Sequence, residues 1–138
     1  MPNSFFVVFS YFSTFFRDKQ EETWYTVGRK WYIGGKKMIR HIVMFKFLEE
    51  ADGKSKRENV LATKAMLDAL PAKIDLIKHS ETYVGADGAA AGNCDLLLIS
   101  DFDSFETLNA YIVHPDHKAV GAFMKPLRES RACVDIEI

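Results

Sequence analysis

The stretch that most constrains this chain is residues 39–48, I-R-H-I-V-M-F-K-F-L. It is dense in β-branched and aromatic residues, which suit a pleated strand. Alternation puts Ile39, His41, Val43, Phe45 and Phe47 on one side. Arg40, Ile42, Met44, Lys46 and Leu48 fall on the other. Both sides are largely apolar, so both faces of the sheet that holds this strand must be covered.

The pattern after it predicts what does the covering. A-D-G-K-S marks a turn, and residues 54–70 carry Val60, Leu61, Ala65, Leu67 and Leu70 at helical spacing, stopped by Pro71. Residues 74–84 read as a second strand and G-A-D-G-A-A-A-G-N as a loop. A third strand, D-L-L-L-I-S-D-F, spans 95–102. Asp103 or Ser104 caps the next helix, with Glu106 at capping-box spacing from Asp103 and with Leu108, Tyr111 and Ile112 following at i, i+3 and i+4. Pro115 opens a further helix bearing Ala119, Val120, Phe123 and Met124, and Val134, Ile136 and Ile138 alternate in a last strand. The order β-α-β-β-α-β is the ferredoxin-like α+β arrangement, with both helices on one sheet face. Ile42 and Met44 lie on the other face. The simplest cover for it is a second copy of the sheet, giving a homodimeric α/β barrel.

Residues 1–37 differ from residues 38–138. They contain no alanine and no leucine, yet hold eleven of the eighteen aromatic residues. The run F-F-V-V-F-S-Y-F-S-T-F-F lacks the basic flank and small-residue cleavage site of a secretory signal. Gly34-Gly35-Lys36-Lys37-Met38 is what a purine-rich ribosome-binding sequence and a start codon would encode. The expectation is that 1–37 is a non-native or disordered extension from a mis-assigned start, and that 38–138 is the domain.

Composition narrows the function classes. A net charge of −1 gives no general attraction to nucleic acid or acidic lipid. Lys54, Lys56, Arg57 and Lys64 lie along one helix broken by Glu58 and read as a solvated face. No apolar run approaches the ~20 residues of a membrane span. Cys94 and Cys133 fit no disulfide framework or zinc pattern, which suits a reducing cytoplasm with both as small core residues. There is no G-x-G-x-x-G, P-loop or G-x-S-x-G.

What carries chemistry is Y-I-V-H-P-D-H at 111–117 together with His41. His41 shares its strand side with three large apolar groups, so desolvation favours its neutral form. His117 lies in the first turn after Pro115, where the helix dipole also disfavours imidazolium, and it shares a helical side with Val120 and Met124. Two neutral imidazoles can accept protons, and Tyr111 offers a hydroxyl to a carbonyl or enolate oxygen. The plainer alternative is a structural corner, with His114 and Pro115 joining two helices and the histidines hydrogen-bonded for stability. His114, Asp116 and His117 have no further ligand cluster to complete a metal site.

M-I-R-H-I-V-M-F-K-F, L-P-A and Y-I-V-H-P-D-H-K-A-V resemble the stress-responsive dimeric α/β-barrel family over residues 38–138. The resemblance implies a dimer whose two sheets form a barrel. The family includes a plant polyketide cyclase that needs no organic cofactor, and His41, Tyr111 and His117 match its histidine, tyrosine and second histidine. The loop G-A-D-G-A-A-A-G-N departs from the cyclase, so its substrate does not transfer. Some members hold magnesium through backbone oxygens, which would fall here around Leu67, Leu70 and Lys73. The expectation is a cofactor-independent cyclase, isomerase or lyase acting beside a carbonyl. The alternative is a noncatalytic stress-related or ligand-binding protein.

Overall fold

The structure, a computed structural model, describes residues 36–138 throughout and, before them, the backbone of residues 8–9, 13–14, 16–18, 23–26 and 29–32. Two units separate, Met1–Lys36 and Lys37–Ile138. In the first, Val8–Phe9 pairs with Ser13–Thr14, and Phe16–Asp18, Thr23–Thr26 and Arg29–Tyr32 form an antiparallel meander. The expectation about residues 1–37 falls largely outside the described residues.

The second unit runs β1 (Ile39–Phe47), α1 (Lys56–Asp68), β2 (His79–Val84), β3 (Leu96–Phe102), α2 (Phe105–Val113), α3 (Pro115–Met124) and β4 (Arg128–Glu137). The sheet order is β4-β1-β3-β2, antiparallel throughout. This is the ferredoxin-like topology. The odd residues of β1 point toward the helices and are buried with Leu96, Leu98, Phe102, Val60, Leu67, Leu108, Val120 and Met124.

Helix α1 starts where Ser55 accepts from the Glu58 N–H while the Glu58 carboxylate accepts from the Ser55 N–H, a reciprocal cap. Its inward face differs from the sequence reading. Leu61 and Ala65 are exposed, whereas Asn59 and Thr63 are buried. Both polar groups are satisfied locally: Asn59 donates to the Ala51 carbonyl at 2.9 Å and Thr63 to the Asn59 carbonyl at 2.8 Å. A hydrogen-bonded polar side chain can occupy a core position, so periodicity of apolar residues alone misplaced this face. The α2 cap is likewise the Ser104–Thr107 pair and not Asp103–Glu106. Ile112 and Ala119 are exposed, and Cys133 lies exposed on β4 instead of in the core.

The opposite sheet face is not covered by any other described element of this unit. Ile42, Met44, Leu97, Ile99, Tyr83, Val134 and Ile136 share it by register, and Met44, Tyr83, Val134 and Ile136 are 41–51% exposed. Arg40 and Asp101 form a two-pronged ion pair at its border, at 2.7 and 2.8 Å. No described helix is long and apolar enough to cross a membrane.

Candidate active site

His41 stands on the buried face of β1, 4% exposed. Pairing register sets its neighbours: Asp135 on β4 and Ser100 on β3 lie directly opposite it, and Ser80 on β2 lies opposite Ser100. A polar row therefore crosses the helix-side face of all four strands. His41 Nδ1 lies 2.5 Å from Asp135 Oδ1, and the Ser80 and Ser100 hydroxyls are 3.2 Å apart. A carboxylate can only accept, so Nδ1 of His41 donates to Asp135 and Nε2 is the nitrogen left without this partner.

Tyr111 comes from the last turn of α2 and is 1% exposed. Its ring packs 4.8 Å from Phe102 and 4.4 Å from the His117 imidazole, centroid to centroid. Burial pushes its phenol up to about 12, with the Arg131 charge acting weakly the other way. The group stays protonated and can donate. Among the described residues no hydrogen bond reaches this hydroxyl, and the buried polar side-chain atom left unpartnered there is Thr82 Oγ1 instead. The Tyr111 oxygen is thus not sealed in the interior.

His117 is half-buried in the first turn of α3. Its Nδ1 lies 3.0 Å from the Ile112 carbonyl, an acceptor, so Nδ1 again holds the proton and Nε2 is free. Its pKa is lowered, chiefly by desolvation. The bond to Ile112 opposes this, and the charges of His41, Arg131 and His114 add to it. His41, Tyr111 and His117 therefore share one neighbourhood. His114 sits apart in role. It ends α2 and caps α3, its Nδ1 accepting from the Asp116 N–H at 3.2 Å, with Pro115 at the first helical position.

Sequence reasoning missed Asp135 and Ser100. Asp135 reads as the solvent-side member of an alternating strand, and only antiparallel pairing of the last strand with the first sets it against His41. The backbone oxygens of Leu67 and Leu70 are engaged within the chain. The Leu70 carbonyl accepts from both Lys73 and Ile74, and Leu67 from Ala69. The described residues hold no cluster of three metal-ligating side chains. Three concavities of about 320, 360 and 390 Å³ lie against the α1 start and the 85–95 loop, at the 50–55 hairpin, and by Met44 and Tyr83. None is lined by His41, Tyr111 or His117.

Residues 39–138 match the Stress responsive A/B Barrel Domain (Dabb) family. The chain belongs to this family. A dimeric ferredoxin-like protein of unknown function from Bacteroides fragilis is 34% identical over 73% of this chain and 96% of its own, with a TM-score of 0.66. A dimeric ferredoxin-like protein of unknown function from Thermobifida fusca is 32% identical over 78% and 95%, TM-score 0.63. A hydroxynitrile lyase from Passiflora edulis is similar in fold, at 15% identity over 75% and 95% with a TM-score of 0.63. No protein of curated function matches the sequence. The Bacteroides fragilis and Thermobifida fusca proteins thus agree with the Dabb assignment in fold.

Proposed function

We propose that this Dabb protein is a homodimer in which each subunit carries a cofactor-independent acid–base site for proton transfer beside a carbonyl, of the cyclase, isomerase or lyase kind. The observation that carries this reading is the packing of Tyr111 against the His117 ring, 4.4 Å between centroids, with a phenol that stays protonated and makes no hydrogen bond among the described residues. A protonated phenol with no protein acceptor is free to donate to a substrate carbonyl oxygen. In this reading His117 Nε2 takes the proton from the carbon next to that carbonyl. Tyr111 donates to the oxygen as enolate charge develops, and the His117 imidazolium then returns the proton to carbon or to a leaving group. The Asp135–His41 pair holds a second imidazole with Nε2 available for the other proton transfer. The dimer reading rests on the uncovered apolar sheet face and on the two relatives described as dimeric.

One observation favours the noncatalytic alternative: both rings are already engaged within the protein, His41 by Asp135 and His117 by the Ile112 carbonyl. Exchange of carbon-bound hydrogen separates the two. A panel of small ketones and keto acids is held in D2O with the protein and followed by proton NMR. The proposal expects accelerated exchange that falls by about 10²-fold in His117→Ala. Buffer-level exchange for the whole panel, or equal rates in the variant, would leave only the binding role.

A further inference from the structure

Strand β4 is exposed on both sides, including the side that faces the helices. Its register places Arg131 opposite Phe45, Cys133 opposite Val43 and Asp135 opposite His41, so these three share the helix-side face. All three are classed as exposed, and the Asp135 side chain keeps 33% of its surface. The helices therefore leave a strip open along β4, beside the Asp135 carboxylate that holds His41. Asp135 stands at one end with its carboxylate engaged by His41. Arg131 stands four residues away, about 13 Å along the strand. Among the described residues its guanidinium makes no ion pair and no hydrogen bond, unlike Arg40 and Arg57.

We infer that Arg131 is the anchor for an anionic group on the substrate, and that the substrate class is a small keto acid whose carboxylate lies on Arg131 while its carbonyl reaches Tyr111. This rests on the acid–base reading of the same site. The guanidinium is a rigid planar fork that matches a carboxylate with two parallel hydrogen bonds, which an ammonium would not. Register puts Arg131 on the same sheet face as Asp135 and His41, and its charge also acts on Tyr111 and His117. At His117 that charge disfavours imidazolium. A bound carboxylate cancels it, so a substrate carrying the anion would raise the basicity of the group that must accept its proton.

The test uses the full chain and three keto acids whose carboxylate lies progressively farther from the ketone: 2-oxobutanoate, acetoacetate and levulinate, each with its methyl ester. Binding is followed by the imidazole resonances of His41 and His117 at constant ionic strength. At least one acid should bind tenfold or more tightly than its ester, the preference collapsing below twofold in Arg131→Gln and surviving in part in Arg131→Lys. Arg131 lies on an exposed edge strand, so these variants should fold. Acids and esters that bind alike, or a preference unchanged in Arg131→Gln, would overturn the anchor while leaving the acid–base site standing. Silence of both imidazoles toward every acid and every ester would overturn both.

Discussion

Asp135 changes what His41 can do. A histidine buried among Val43, Phe45 and Phe47 is, taken alone, a ring that can present either nitrogen. The bond to Asp135 fixes which nitrogen carries the proton. Replacing the carboxylate by an amide keeps the shape but lets a carbonyl or an amino group face Nδ1, so the tautomer is no longer enforced. Asp135→Asn is therefore expected to slow proton exchange by two or more orders of magnitude, as loss of an orienting carboxylate does elsewhere, with little change in thermal stability. Unaltered exchange would show that the pair is structural. His41, Tyr111 and His117 stand out in the sequence as candidates because their residue types and spacing are distinctive. Asp135 was not legible because its role exists only across a strand pairing, between residues 94 positions apart.

At the scale of elements, the strands and helices were legible from alternation and from Pro71 and Pro115, whereas their polar details were not. Asn59 and Thr63 turn inward on α1 because each finds a carbonyl, a satisfaction that no count of apolar residues contains. The α2–α3 junction is the element-level feature with the clearest energetic consequence. His114 ends one helix and supplies the side-chain acceptor for the next at Asp116. His114→Ala should cost about 1 kcal/mol of stability, the usual loss for an N-cap, measured by urea unfolding, with exchange kinetics held within a few fold. A loss of exchange as large as in His117→Ala would instead place His114 in the chemistry.

For the whole molecule, the constraint read from β1 remains decisive. One of its faces is packed by helices and the other, with Met44, Ile42, Leu97 and Ile99, meets no other part of the described unit. A charge placed at its centre should be tolerated by a monomer and resisted by a sheet-on-sheet dimer, because pairing would bury it without a partner. Light scattering on the full chain is expected to give a dimer at micromolar concentration, and Met44→Asp is expected to shift it to a folded monomer. A monomeric parent chain would remove the argument from the two-faced strand.

The proposed proton transfers need two imidazoles with Nδ1 protonated, and a neutral ring at His117 at physiological pH. Long-range proton–nitrogen NMR of the histidine rings, recorded from pH 4 to 9, reads both properties without any substrate. His117 should titrate below its ordinary value near 6.5, because burial opposes the charge. The unfolded chain then holds more protons than the folded one between that lowered value and about 6.5, so His117 should also make stability fall as pH drops through this window. The predicted result is the Nδ1–H tautomer for both His41 and His117 at pH 8, with the His117 midpoint below 6.5 and shifted upward in Arg131→Gln. An Nε2–H tautomer at either ring, or a His117 midpoint at or above 6.5, would contradict the account.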